Sequence, residues 1–437
     1  MKYSLSPAFA TPQISVAPTV PQKRVPLLGP EIGPDPRNAN CTIRLPRTPT
    51  QEENGVFFDF NFGYRVQCPA GVRCRVRVYD RESDLLLAEH VTEDGAMIVG
   101  ERKYYIPYRL EVTRLSDDKV LVDHHFDCAG RPVTIVVPDG GLGDNLAWMP
   151  LAEQFRQKYG ADVTCVIGEW LIRMIRDQYP ELKFVPIGTQ PPLGGAYACY
   201  YCAIFPKDRK NWRPSDHQNW GMQRSVQLAL GVPLEDIKVR LKLDSPRPCP
   251  EPFVCISAMA TNPAKHWNYP DGWNTVIRWL RSLGYRVFCI DRDKELAFGG
   301  VFPTAIPAEA EDCTGAKPLV ERIAMMQHAD FFIGLPSGLS WLAWNCNIPV
   351  VMISGFSLEG CEFPTPYRVT NFKYCHGCWN DSQEFFDMTA MVWCPRHRGT
   401  PREIECTKMI SPKMVMNTIR RLPVFRERHP EEAAKQE

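Results

Sequence analysis

The sequence predicts an α/β protein built on two Rossmann-like halves, with an N-terminal antiparallel β domain before them and a four-cysteine metal finger after them. Three observations carry this. Residues 131–245 and 246–362 alternate short apolar runs with stretches of helical spacing, the rhythm of βαβ units. Asp244–Pro252 (DSPRPCPEP) places four prolines in nine residues between those stretches and reads as a linker. Alternating apolar and polar residues precede the first half, and a long cysteine-bearing segment follows the second.

Residues 1–50 are rich in proline and have no helical period, so they read as an extended arm. In residues 51–130, the runs VFFDFNFGYRVQC, RCRVRVYD, LLLAEHV and RLEVTRL lie between turn signals at Pro69-Ala-Gly71 and Ser116-Asp117-Asp118. That pattern is an antiparallel β domain with a packing, docking or assembly role. In the first half, strands are expected at Val133–Val137, Val163–Ile167 and Lys183–Pro186, and helices at Asn145–Lys158, Trp170–Gln178 and Met222–Leu230. Cys199-Tyr-Tyr-Cys202 sits in an apolar strand and reads as core. Lys207–Trp220 reads as exposed surface.

The second half (residues 246–362) repeats the rhythm. Strands are expected at Phe253–Ser257, Arg286–Asp291, Ala329–Leu335 and Pro349–Ser354. Helices are expected at Asp271–Leu283, Lys317–His328 and Ser337–Asn345. Ser411–Leu422 reads as a basic closing helix and Arg426–Glu437 as a polar tail.

Composition narrows the function. With 44% hydrophobic and 23% charged residues, the 437-residue chain can bury a sizeable core. Lys and Arg number 51 against 50 Asp and Glu, so no basic excess points to nucleic acid or to an anionic membrane. No apolar run reaches membrane-spanning length, and MKYSLSPAFATPQ lacks a signal-peptide core, so a cytoplasmic location is expected. The 17 cysteines then read as reduced thiols and metal ligands rather than disulfides.

Three loops carry the candidate chemistry. Asp139-Gly-Gly-Leu-Gly-Asp144-Asn145 follows the first strand of the first half. Gly140, Gly141 and Gly143 let the backbone turn sharply and approach a ligand. The helix start that follows suits an anion, and Asp144 is placed to act as a base. The plain alternative is that Asp144 or Asn145 only caps the helix. In the second half, Ser257–Trp267 carries Thr261, Asn262 and Lys265 just after a strand, where a lysine can meet a phosphate. Gly334-Leu-Pro-Ser337-Gly338-Leu339-Ser340-Trp341 runs from a strand into a helix, with Ser337 as the expected cap and free N–H groups for a diphosphate. Asp291-Arg-Asp293 reads as surface, or as a ribose contact at best.

Residues 363–410 break the α/β rhythm. Cys375-His-Gly-Cys378 forms a knuckle, Cys394 follows after 15 residues and Cys406 after 11 more. This spacing reads as a closed, structural site of four sulfurs, for which zinc is the commoner metal. His376 and His397 are nearby substitute ligands in principle but read as exposed, and Trp379, Phe385, Phe386 and Trp393 read as packing around the finger.

GGLGDNLAWMP, NPAKHWNYPDGWNTVIRWLRSLGYRVFCID and ADFFIGLPSGLSWLAWNCNIPVVMI resemble, in order over residues 132–360, the heptosyltransferase family of GT-B glycosyltransferases. The branch they resemble most is the bacterial autotransporter heptosyltransferases. The resemblance implies an inverting transferase that moves heptose from ADP-heptose to serine hydroxyls of an autotransporter adhesin. It implies Asp144 as general base, Lys265 as a donor contact, and Ser337, Gly338, Leu339 and Ser340 as the donor-phosphate turn. It also implies iron on Cys375, Cys378, Cys394 and Cys406, no divalent metal for catalysis, and a large homo-oligomer. One departure stands out: lipopolysaccharide heptosyltransferases carry Asp-Thr-Gly-Leu-Ser-His where this chain has Pro336-Ser-Gly-Leu-Ser-Trp341. The residues themselves leave open another nucleotide-sugar donor, or a non-catalytic assembly or scaffold protein.

Overall fold

The computed structural model describes residues 45–138, 140–189, 196–202, 209–298, 302–384 and 394–435. Most of the proline-rich arm, and Phe385, Phe386 and Trp393 of the finger, lie outside the described residues.

The second half is a six-stranded parallel sheet. Its strands run in the order Glu311–Asp312, Arg286–Cys289, Phe253–Ile256, Phe332–Gly334, Val350–Ile353 and Arg368–Val369. Numbered along the chain, that is 3-2-1-4-5-6, the Rossmann order. The central strands are buried on both faces, and their sequences FVCI, FIG and VVMI are correspondingly apolar throughout. A hairpin, Glu295–Phe298 with Phe302–Ala305, is inserted between the second and third strands.

The first half begins the same way. Lys183–Pro186, Asp162–Ile167, Pro132–Val136 and Ala198–Tyr201 pair in parallel in the order 3-2-1-4. The place of a fifth strand is taken by Val56–Asn61, from the expected β domain, which pairs in parallel with Ala198–Tyr201. Arg65–Gln67 and Met97–Val99 continue the sheet antiparallel. The sheet therefore crosses the expected boundary at residue 130. Only Leu86–Thr92, Cys74–Asp80, Tyr108–Arg114 and Lys119–His125 form a separate antiparallel sheet. Register in the added strands is pinned by Asp59 opposite Arg65, a fully buried ion pair. Asp59 also accepts hydrogen bonds from the Thr50 and Asn61 N–H groups, so neither charge is left uncompensated.

One hydrophobic core runs from these strands through Trp148 and Phe155 to Phe253, Cys255 and Leu342 on the near face of the second sheet. A second core covers the far face, where helix Pro412–Ile419 and Phe425 pack. Most described residues from Arg426 onward are exposed, as expected of a polar tail, but the segment is helical and tied down, with Ala433 buried. Phe425 is fully buried, Arg420 pairs with Glu432 at 2.6 Å, and Arg428 pairs with Asp330 at 2.9 Å.

The segment expected at the surface around Trp220 is also corrected. His217 and Gln218 are buried. Gln218 Nε2 donates to Trp379 O and Asp381 O, and Asn380 Nδ2 donates back to Gln218 O. The next residue but two, Gly221, has φ 74° and ψ −179°, and a Cβ there would lie 1.9 Å from Gly360 O. This is the seam between the halves. Gly221→Ala is expected to cost about 3 kcal/mol of stability, from a glycine-only backbone region plus the clash. A denaturant midpoint equal to that of the wild type would contradict this.

Candidate functional site

Ligands in such sheets bind beyond the carboxyl ends of the strands, where the strand order reverses. In the first half that point lies beside Pro132–Val136, and its loop carries Gly140–Asp144. In the second half it lies between Phe253–Ile256 and Phe332–Gly334, whose loops carry Lys265 and Ser337. The three candidate loops thus sit at the two switch points.

The two helix starts at these points meet. Helix Leu142–Tyr159 begins against helix Gly338–Asn345. A Cβ on Gly143 would lie 3.0 Å from Trp341 Cδ1, and one on Gly338 would lie 2.7 Å from Leu142 Cβ and 3.0 Å from Gly143 N. Only glycine lets the halves approach this closely. The first helix starts three residues earlier than the sequence suggested, so Asp144 lies inside its first turn rather than in a loop.

Asp144 is half-buried and its Oδ2 accepts the Gly141 N–H at 3.1 Å. Burial pushes its carboxyl above the ordinary carboxylate value, while the charge of Lys265 and the Gly141 N–H pull the other way. Asn145 is fully buried; its Nδ2 donates to Gly141 O at 3.1 Å, and its Oδ1 has no partner among the described residues.

Lys265 ends the short turn Pro263–Lys265. Asn262 Oδ1 accepts the Ala264 N–H at 2.8 Å and so fixes the turn, while Thr261 is exposed. Lys265 is half-buried, and its Nζ has no hydrogen-bond partner among the described residues. Its charge acts on Asp144 across the meeting of the halves. His266 is buried beside it, with its Nε2 2.9 Å from Ala260 O, and burial pushes its imidazole down, so the ring is neutral. Asp291 is neither surface nor free: it is buried, accepting from Ser257 Oγ at 2.6 Å and Ala258 N–H at 2.8 Å, and it anchors the start of the lysine loop.

Ser337 occupies the N-cap position of its helix but makes no capping bond. Its buried Oγ lacks a partner among the described residues. Ser340 is fully buried and donates its hydroxyl to Leu335 O at 2.6 Å. The N–H groups of Gly338, Leu339 and Ser340 belong to the first turn of the helix and so have no acceptor within it. A hydroxyl without a partner and a helix start thus lie where the two halves meet, with Asp144 in the facing helix start and the charge of Lys265 reaching it. The arrangement suits a bound diphosphate beside a proton acceptor.

The finger packs beside this cleft. Cys378, Cys394 and Cys406 are buried and Cys375 is half-buried. Burial, with the neighbouring Cys378, Cys394 and Cys375, pushes the Cys406 thiol up to about 12. The four cysteines thus lie near enough for their charges to interact, but their sulfurs do not form a close-set ligand group among the described residues. Cys375, His397 and Glu405 do form one, with ligand atoms within 4.8 Å of one another. Both His376 and His397 are half-buried rather than exposed. Glu405 is already engaged, accepting from the Cys375 N–H at 3.1 Å and pairing with Arg402 at 2.5 Å. Trp379 packs on Phe356. All sixteen described cysteines are free thiols, and no helix among the described residues is long and apolar enough to cross a membrane.

Comparison with known proteins agrees with this layout. The model for the N-terminal domain of glycosyltransferase TibC matches residues 53–116, and that for glycosyltransferase family 9 (heptosyltransferase) matches residues 217–377. The chain is 42% identical over 381 residues to autotransporter heptosyltransferase TibC of Escherichia coli O78:H11 (strain H10407 / ETEC), spanning 87% of this chain and 93% of that protein. The crystal structure of dodecameric, iron-containing heptosyltransferase TibC in complex with ADP-D-beta-D-heptose superposes with a TM-score of 0.84 at 41% identity, over 88% of this chain and 100% of that one. A Burkholderia thailandensis (strain E264) relative, 34% identical over 93% of this chain and 97% of its own length, is named inactive autotransporter heptosyltransferase BimC. With a relative this similar along nearly its whole length, the chain belongs to the autotransporter heptosyltransferase family.

Proposed function

We propose that the chain is an inverting GT-B glycosyltransferase that moves heptose from ADP-heptose to serine hydroxyls of an autotransporter adhesin. One relative is named inactive, so kinship does not by itself carry catalysis. The observation that carries it is Asp144 at the meeting of the two helix starts, under the charge of Lys265. An acceptor hydroxyl attacks the anomeric carbon as the bond to the diphosphate breaks. Asp144 takes the hydroxyl proton; its raised pKa suits a base. Charge gathering on the leaving ADP meets Lys265 and the N–H groups of Gly338, Leu339 and Ser340, with Ser337 Oγ free to donate. These groups supply the countercharge without a divalent cation. Gly140, Gly141 and Gly143 keep the backbone low enough for the donor to reach both helices.

Cys375, Cys378, Cys394 and Cys406 hold one structural metal, iron by kinship with TibC. Four protein ligands leave no open position, so the metal serves the fold. The enzyme acts in the cytoplasm, a reading the free thiols support, and assembles as a large homo-oligomer as dodecameric TibC does.

Calorimetry with ADP-heptose, UDP-glucose and ADP tests the donor. Selective binding of ADP-heptose is expected. Preference for another nucleotide sugar would change the substrate, and binding of none would favour a non-catalytic assembly protein.

A further inference from the structure

The turn that presents Lys265 is held from two sides by the finger. On one side, Ala264 is buried against Phe356 and the half-buried Trp379, the residue after Cys378. Trp379 N–H donates to Phe356 O at 3.1 Å, and Gly377 N–H donates to Gly355 O at 2.9 Å. On the other side, Asn268 Nδ2 donates to Thr407 Oγ1 at 2.8 Å, to His266 O at 2.9 Å and to Pro263 O at 3.3 Å. Thr407 follows Cys406 and is fully buried. Trp267 Nε1 donates to Ile410 O at 2.8 Å. Gly355 lies so close to the same stretch that a Cβ there would sit 2.2 Å from Cys406 O.

A three-residue turn with one capping bond does not hold a direction by itself. The lysine at its end has a flexible stem that must point at one place to act as a fixed countercharge. The Asn268 amide both closes the turn, from Pro263 to His266, and fastens it to the residue beside Cys406. We propose that Asn268 is a positioning residue for the donor lysine, and that its bond to Thr407 makes the finger a strut of the donor site. The proposal rests on Lys265 as the donor contact.

Three variants of the full-length, metal-loaded protein test it. Thr407→Val removes the acceptor at nearly constant shape, Asn268→Ala removes the amide, and Lys265→Ala is the comparator. Donor affinity is read by calorimetry with ADP-heptose, together with initial rates and metal content. Thr407→Val and Asn268→Ala are each expected to raise the Kd for donor about five- to tenfold and to lower kcat as well, since Lys265 also meets the charge on the leaving diphosphate, with metal content near wild type. The double variant should be no weaker than the weaker-binding single, because both remove one link. Wild-type donor affinity in both singles, beside a weakened Lys265→Ala, overturns the proposal. So does an additive double variant, or metal lost in step with affinity in Thr407→Val. A Lys265→Ala that binds donor like the wild type removes the donor role of Lys265 itself, and the proposal with it.

Discussion

Asp144→Asn is expected to bind ADP-heptose as the wild type does and to transfer heptose about 10²- to 10⁴-fold more slowly. The amide oxygen can still accept the Gly141 N–H, so the helix start keeps its shape. What is lost is a group able to take a proton. Two further results follow from the raised pKa of this carboxyl. Wild-type transfer should fall on acidification at a pH above the usual carboxylate range, because the base must be ionised. Stability moves the other way. A carboxyl whose pKa is raised by folding stabilises the fold below its unfolded pKa, and that contribution is lost as pH rises through the folded value. Once ionised, Asp144 is thus a cost, and above its folded pKa the asparagine variant should unfold at higher denaturant than the wild type. Unchanged turnover would end the assignment of Asp144 as the base.

Cys394→Ser is expected to lose the metal and solubility together. Burial and the neighbouring sulfurs push Cys378 and Cys406 up to about 12, so a cation is what makes these thiols ionise. Structural thiolate sites draw about 10–16 kcal/mol of apparent binding free energy, which becomes folding free energy. A serine oxygen does not replace a thiolate toward a soft metal. The variant should show metal content near zero, protease cleavage between residues 375 and 408, and aggregation. A metal-free variant that is soluble and fully active would make the finger dispensable.

The two halves were legible because their central strands are buried on both faces and so appear as unbroken apolar runs, such as FVCI and VVMI. The partner of Val56–Asn61 was not legible. Its alternation fits any half-buried strand, and Asp59, which looks solvent-facing, is buried against Arg65. At the C-terminus what was not legible was the anchoring: Arg420, Arg428 and Glu432 look solvated but close ion pairs beside a buried Phe425. The three candidate loops were legible as strand-end loops because glycines and small residues there announce a close approach. Ser337 was expected to cap its helix, but its hydroxyl makes no such bond. Asn268 and Thr407 left no local pattern, because a bond between an amide and a hydroxyl so far apart in sequence has no spacing to read.

The place of Val56–Asn61 inside the sheet of the first half bears on how the protein is made. Phe60 pairs with Ala198, so a strand that leaves the ribosome early waits for a partner synthesised much later. Until then its apolar side and its hydrogen-bonding edge are open in the nascent chain, a state prone to aggregation. The same closure makes Val56–Asn61 a structural part of the first half. Expressed from residue 131 onward, that half would carry an unpaired edge at Ala198–Tyr201, so the N-terminal strands cannot be removed or exchanged as a detachable module.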